Sequence, residues 1–487
     1  MSDRFVMVPT TLTQILAVLA PGWSVEGADG IVVHEVCVDS RQVGPGSLFV
    51  ALPGERVDGH DYVPAALAGG ARIALVERPV ADMPCVDTVD RSMPASLGLA
   101  VTVRVHNTLA ALQCLAAARR RMYPNQRVIG ITGSVGKTTT KEAVASVLGA
   151  RYRVLRSGGN RNNEIGLPLT LLMARPEDQY AVLEMGMYQI GEIADLCRIA
   201  EPQAGLVTNV EPVHLERLGT IERIAEAKAE LVRALPADGW VALNADDPRV
   251  VAMASLTEAR AVTYGFCVDA DVRASDMQSL DLQGNSFTVR VGLGRATSIS
   301  EPVRRLRTRM LGPTAVRAAL AGVTVGLLEG LSWEEIQEGL DELGQGLRLV
   351  SRQGARGITI LDDSYNASPS AVLSALQFLA GLKARRVAVL GDMLELGAVE
   401  AEGHRQVGRT AADTCDLLVA VGDRASAIAA AAAEAGFPSS NIVAVADNAA
   451  AVSRLADRLQ DGDVVLIKGS RGMRMEEIVA ALQEGAP

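Results

Sequence analysis

Gly130-Ile131-Thr132-Gly133-Ser134-Val135-Gly136-Lys137-Thr138 stands between a predicted strand, Arg127–Thr132, and a predicted helix, Thr138–Leu148. Glycines at these places let successive backbone N–H groups turn inward and form an anion nest at a helix N-terminus. Lys137 can then reach β- and γ-phosphates, and the Thr138 hydroxyl can ligate Mg²⁺. A strict phosphate loop has glycine where this chain has Ile131, so the match is to a variant whose earlier glycine is Gly133. The competing reading is a glycine-rich turn with a chance Lys-Thr pair. The strand and helix on either side weigh against it. Gly133, Ser134, Gly136, Lys137, Thr138 and Thr139 are therefore expected to bind ATP.

Working outward, buried strands are predicted at Tyr180–Glu184, Gly205–Asn209 and Trp240–Asn244, separated by helical stretches. Strands alternating with helices imply a mostly parallel sheet covered on both faces. Before this unit, residues 1–104 carry short β-rich runs such as Val32–Val38 and Ser47–Leu52, and a small α/β domain is expected there. A helix, Asn107–Met122, leads into the central unit, residues 105–344. Residues 268–308 differ, with polar strand-like alternation at Ser286–Val291 and a basic run at Arg304–Arg309. Nothing aromatic interleaves that run, so it reads as a solvated face or a phosphate-side edge and not as a nucleic-acid site. A second α/β alternation fills residues 345–487, with strands at Ile358–Leu361, Arg386–Leu390, Leu417–Val421, Ile442–Val445 and Val464–Ile467. The fold class is thus α/β in three domains, the last of them Rossmann-like.

Composition narrows the function. The 487 residues are 48 % hydrophobic and 21 % charged, which suits packed cores. A net charge of −10 argues against nucleic acid or an anionic membrane as partner. Met1–Thr10 lacks a basic segment followed by an apolar run, and no stretch approaches a membrane span, so a cytoplasmic location is expected. The six cysteines lie far apart with no C-x-x-C pair, which fits free thiols in a reducing compartment. Five lysines stand against 42 arginines. Where any cation would do, the chain uses arginine, so Lys137, Lys141, Lys228, Lys383 and Lys468 point mildly to chemistry that needs an amine.

Three further residues stand out. Glu184 closes an apolar strand, where a parallel sheet offers a carboxylate to Mg²⁺; a structural strand-end acid is the alternative. His214 follows another strand, and a lone histidine is more often structural. Lys228 falls on a predicted helix, Ile221–Leu235, among charged neighbours, and spacing alone favours a surface lysine. An amine can, however, add CO₂ to give a metal-binding carbamate, which arginine cannot.

The glycine loop, Asn160-Arg161-Asn162-Asn163-Glu164-Ile165-Gly166-Leu167-Pro168, Glu184-Met185-Gly186, and Thr208-Asn209-Val210 with His214 together resemble the Mur ligases of peptidoglycan synthesis. Within that family, three segments resemble the branch that adds D-alanyl-D-alanine to UDP-N-acetylmuramoyl-tripeptide. They are the Asn-rich segment, Asp362-Asp363-Ser364-Tyr365-Asn366-Ala367-Ser368-Pro369, and Leu390-Gly391-Asp392-Met393-Leu394-Glu395-Leu396-Gly397. Asp39-Ser40-Arg41 and Gly54-Glu55-Arg56-Val57-Asp58-Gly59-His60 fit the same branch. The resemblance runs from about residue 35 to 475.

The resemblance implies a UDP-binding first domain, a central ATPase domain, and a third domain that brings the amine. It implies that ATP phosphorylates the tripeptide carboxylate and that the dipeptide amine displaces phosphate from the acyl phosphate. By the family pattern Thr138 and Glu184 hold one Mg²⁺, His214 helps place a second, and Lys228 is the carbamylated lysine. Asn160, Asn162 and Asn163 lie on the tripeptide side, Arg348 touches phosphate, and Asp363 meets ribose or metal. Tyr365, Asn366, Lys468 and Ser470 line the cleft, although surface charges in a turn would also explain Lys468. Ser40 and Arg41 could hold the UDP diphosphate, or Arg41 could simply be exposed. A monomer is expected.

The family also carries His-Asn-x-x-Asn at a helix start, where it contacts adenine. Here the aligned stretch is Gly312-Pro313-Thr314-Ala315-Val316-Arg317-Ala318, without the histidine or either asparagine. Purine contacts then fall to other groups, such as Asn209 or backbone, or selectivity is weakened. The alternatives are another Mur-type or folylpolyglutamate-type ligase, or a nucleotide-binding pseudo-ligase scaffold.

Overall fold

The computed structural model describes residues 5–54, 57–212, 218–292, 302–343 and 349–485. Three sheets organise them. The first has six strands: β1 (Phe5–Thr11), β2 (Val32–Cys37), β3 (Ser47–Val50), β4 (Ile73–Val76), β5 (Cys85–Asp87) and β6 (Val101–Arg104). Only the β1–β2 pair is antiparallel.

The central sheet has nine strands: β7 (Arg127–Thr132), β8 (Val154–Arg156), β9 (Tyr180–Glu184), β10 (Ala204–Val207), β11 (Trp240–Asn244), β12 (Arg260–Gly265), β13 (Val272–Ser279), β14 (Asn285–Val291) and β15 (Val303–Thr308). Their order is β15-β14-β13-β12-β11-β10-β7-β9-β8, parallel from β8 to β13 and antiparallel over the last three. The third sheet, again of six strands, runs β16 (Val350–Gln353), β17 (Thr359–Asp363), β21 (Val464–Lys468), β18 (Arg386–Gly391), β19 (Leu417–Val421) and β20 (Ile442–Val445), with β16 its antiparallel edge. No helix among the described residues is long and apolar enough to cross a membrane.

Period-two alternation explains why the central strands are apolar throughout. Val128, Ala181, Leu183, Val207, Val241 and Leu243 face one core, while Ile129, Ile131, Val182, Leu206 and Ala242 face another. The second core is roofed by the helices Lys137–Gly149 and Pro313–Leu328. The first core continues into the N-terminal sheet through the helix Thr108–Met122, whose Leu112, Leu115 and Ala116 are buried. The first two sheets therefore share one apolar body.

Residues 268–308 supply β13 to β15. In β15 Arg305 and Arg307 are exposed on one face, Arg304 on the other pairs with Glu334, and Arg305 bonds Gln278 and Ser286. The basic run is thus a solvated sheet edge, charged as exposed edges commonly are.

Behind the sheet, at the C-cap of Pro313–Leu328, Glu329 is buried among Tyr180, Trp240 and Arg127. Tyr180 Oη and Trp240 Nε1 each donate to its carboxylate at 2.7 Å, and the Arg127 guanidinium lies 3.1 Å away. Burial and this carboxylate hold the Tyr180 hydroxyl protonated far above its ordinary range. Removing the acceptor strands all three donors. Glu329→Ala should cost about 3 kcal/mol in urea unfolding followed by tryptophan fluorescence, with activity retained below the transition.

Candidate active site

The phosphate loop leaves β7 with Gly133 at φ +146° and re-enters helix at Gly136, φ +84°. A side chain at Gly133 would run into the Thr208 hydroxyl, so the turn needs glycine twice over. Val135 N donates to Asn209 Oδ1 at 2.8 Å, and Asn209 Nδ2 returns a 3.0 Å bond to Val135 O. Thr208 Oγ1 donates to the same carbonyl at 2.8 Å, and Ser134 N to Asn209 O at 3.0 Å. These bonds explain why β10 ends at Val207 and not at Asn209: Thr208 and Asn209 leave the sheet to brace the loop. Asn209, suggested above as a purine contact, braces the loop through both side-chain atoms. Lys137 lies back over the loop, with Nζ 2.7 Å from Gly133 O and 3.1 Å from Ser134 O.

Glu184, at the end of β9, is buried and held on every side. Thr138 Oγ1 donates to Oε2 at 2.9 Å and Asn162 Nδ2 to Oε1 at 2.8 Å. Its backbone N–H donates to Ser157 Oγ at 3.2 Å, and the buried Lys141 ammonium donates to Ser157 O at 2.5 Å. Lys141 and Ser157 were missed as positioning groups in the sequence reading; lysine scarcity was the only signal for the first. Asn160 Oδ1 accepts from Asn162 at 3.2 Å, and Asn163 Oδ1 accepts from Gly166 N at 2.9 Å, opening the helix Gly166–Leu172.

Among the described residues no group of three or more His, Cys, Asp or Glu side chains could hold a metal ion alone. Thr138 and Glu184 do fit Mg²⁺ in the way phosphate-loop enzymes use it, with one hydroxyl, one carboxylate, and the remaining oxygens from phosphate and water.

Lys228 is 2 % exposed on the helix Ile221–Arg233, which overturns the surface reading. Burial, and then the neighbouring Lys137 ammonium, push its pKa well below that of a free lysine. It makes no hydrogen bond or ion pair with a described residue. A neutral amine is the form that attacks CO₂, so the residue fits a carbamate.

Lys468 is likewise buried and not a turn-surface charge. Its ammonium lies 2.6 Å from Asp363 Oδ2 and 2.9 Å from Asn366 O. Asp363, expected near ribose or metal, is engaged here by that lysine. Ser470 Oγ accepts from Leu394 N at 2.8 Å and donates to Ala367 O at 3.5 Å, joining two of the segments quoted above. Arg471 lies over the Tyr365 ring, 5.5 Å from its centre.

One cavity of about 930 Å³ takes its walls from both halves: Ser134, Gly136, Lys137, Thr139, Asn160, Asn162, Asn163, Glu184, Asn209 and Lys228 face Asp363, Tyr365, Asn366, Lys468 and Ser470. Glu211 bridges them. Its backbone exchanges bonds with Ser134 Oγ at 2.9 and 3.0 Å, and its carboxylate accepts from Ser370 Oγ at 2.6 Å. Ser40 and Arg41 lie elsewhere, in a short turn of the first domain where Arg41 is exposed and paired with Asp39 at 2.7 Å. His214 and Arg348 fall outside the described residues, as do Glu55 and Arg56 of the first-domain motif.

Three family models cover most of the chain: the Mur ligase family catalytic domain over residues 32–120, the Mur ligase middle domain over 131–326, and the Mur ligase glutamate ligase domain over 347–471. The chain belongs to the Mur ligase family. Among its relatives is the UDP-N-acetylmuramoyl-tripeptide–D-alanyl-D-alanine ligase of Escherichia coli, 36 % identical over 98 % of this chain and 99 % of that protein. A crystal structure of MurF from Acinetobacter baumannii superposes with a TM-score of 0.85 at 31 % identity, covering 98 % of this chain and 99 % of that one. MurF from Thermotoga maritima in complex with ADP gives 0.75 at 27 %, covering 92 % and 97 %.

In this Mur ligase the amine of Lys228 carries a pH signature. The unfolded chain protonates it below about pH 10.4, whereas the folded chain keeps it neutral well below that. The unfolded state then binds more protons, so native stability rises with pH across that window. In CO₂-free buffer Lys228→Met should be more stable than the parent at pH 7, and the gap should narrow as pH approaches 10; denaturation midpoints along a pH series measure it.

Proposed function

We propose that this Mur ligase joins D-alanyl-D-alanine to UDP-N-acetylmuramoyl-tripeptide, the two substrates that the names of its relatives state for those proteins, with ATP as the driving nucleotide. The observation that carries the reading is the shared cavity, in which a phosphate loop on one wall faces the Asp363–Lys468 pair and Ser470 on the other. Residues 1–104 hold the UDP end, 105–344 the triphosphate, and 345–487 the incoming amine.

A carboxylate acylates an amine poorly at neutral pH, and phosphorylation by ATP gives it a leaving group. Two anions must first approach. The loop N–H groups and Lys137 offset the phosphate charge, with Lys137 leaving the Gly133 and Ser134 carbonyls for the nucleotide. Thr138 and Glu184 would hold one Mg²⁺ and a carbamate on Lys228, with His214, a second; the ions supply charge neutralisation and alignment when bound. Asn162 keeps Glu184 aimed while Asn160 and Asn163 shape the tripeptide side. From the opposite wall Tyr365, Asn366, Lys468 and Ser470 orient the dipeptide and exclude water from the acyl phosphate. Arg348, near the start of the third domain's sequence, meets phosphate, and Asp363 acts by fixing Lys468. Ser40 and Arg41 take the UDP diphosphate.

Phosphate release with ATP and Mg²⁺ tests the proposal, with the two substrates added separately and together. Fast release is expected only with both. Release that ignores the dipeptide would point to a different amide ligase, and no release under any condition to a scaffold. Lys228→Ala should lower kcat by roughly a hundredfold or more, with partial recovery in acetate or formate. Unchanged turnover would remove Lys228 from the site.

A further inference from the structure

The replaced stretch Gly312–Ala318 lies on the cavity wall, and its chemistry there departs from what adenine needs. The central sheet runs β7-β10-β11-β12, so the wall turns from the phosphate loop to the ends of β11 and β12 over three strand spacings, about 14 Å. A nucleoside triphosphate anchored by its phosphates at Lys137 and laid along these carboxyl ends brings its base to Tyr264, Thr314 and Arg317, all of which line the same cavity.

At that end of the cavity Arg317 offers a fork of donors, whereas the carbonyl and carboxylate oxygens of Met310, Gly312 and Asp246 each already accept at least one hydrogen bond. Arg317 is held in place: its Nε donates to Asp246 Oδ2 at 3.3 Å, and its guanidinium lies over the Phe266 ring, 5.1 Å from the centre. Its terminal nitrogens have no partner among the described residues, and a guanidinium has no acceptor at all. Asp246 cannot turn to serve, because its Oδ1 already accepts from Phe266 N at 2.8 Å and Cys267 N at 3.0 Å. The nearby carbonyls of Met310 and Gly312 accept from Asn285 Nδ2 at 2.8 and 3.3 Å. The Tyr264 hydroxyl donates to Val207 O. Thr314, an ambivalent hydroxyl, suits either purine.

Adenine shows N7, an acceptor, beside the N6 amino donor. Guanine shows N7 and O6, two adjacent acceptors that match a guanidinium fork. We infer that Arg317 is a specificity-determining residue that reads the purine by its acceptor edge, so that this ligase takes guanine nucleotides on a par with adenine nucleotides. The inference rests on the nucleotide-driven reading above and adds to it which base is accepted.

Calorimetric dissociation constants for the imido-triphosphate analogues of adenosine, guanosine and inosine, with Mg²⁺ and the full chain, decide it without turnover. The guanosine analogue is expected to bind within roughly tenfold of the adenosine one or more tightly. Inosine, which keeps O6 and N7 but lacks the 2-amino group, should follow guanosine. Arg317→Asn restores a mixed donor and acceptor, and should move the guanosine-to-adenosine ratio toward adenosine by roughly tenfold. A parent that rejects guanosine by more than that margin, inosine that follows adenosine, or an Arg317→Asn ratio that stays put overturns the inference. If the adenosine analogue binds and guanosine does not, the ligase reading stands and only this role for Arg317 falls; if no triphosphate binds, both fall.

Discussion

Placing charge out of water costs several kcal/mol per ion unless partners meet it, and this chain does so repeatedly in one place. Lys141, Lys228, Lys468 and Glu184 are all buried, and each is within reach of the cavity or of a residue that lines it. Glu184 is met by Thr138 and Asn162, Lys141 by Ser157 and Glu142, and Lys468 by Asp363. Lys228 is the exception: with no counter-charge beside it among the described residues, burial and the Lys137 ammonium push its pKa well below that of a free lysine. The arrangement is costly for folding and useful for chemistry, because preorganised dipoles in a water-poor site act strongly on developing charge.

Much of this was legible in the residues. The apolar runs Tyr180–Glu184 and Trp240–Asn244 are strands to the residue, since both faces of a parallel strand are covered and leave no ambiguity of period. The strand expected at Gly205–Asn209 is shorter, because Thr208 and Asn209 have a better use for their side chains against Val135 than in a ladder. Such tertiary bonds leave no periodic mark. The surface reading of Lys228 failed for a related reason. Glu226 and Glu230 flank it, and local charge patterning suggested an exposed face, but residues two positions away lie on the far side of a helix, so the lysine points inward while they do not. Glu230 itself is occupied elsewhere, accepting from Gly191 and Ala194 backbone.

Contacts between distant segments were the least visible. Nothing in Glu211 or Ser370 alone announces that they meet at 2.6 Å. The same holds for Lys141, four residues after Lys137, whose amine fixes the strand end that carries Ser157. Lysine scarcity singled it out, but only the fold says which carbonyl it reaches.

The single apolar body shared by the first two sheets has a mechanical meaning. Groups carried by the first sheet and groups carried by the second ride on one frame, so the spacing between them is set by the fold itself. The third sheet has a core of its own and meets that frame through contacts such as the Glu211–Ser370 bond and Leu311, which packs among the third domain's buried residues. The cavity therefore has one wall built on a continuous core and an opposite wall, the one that carries Lys468, built on a core of its own.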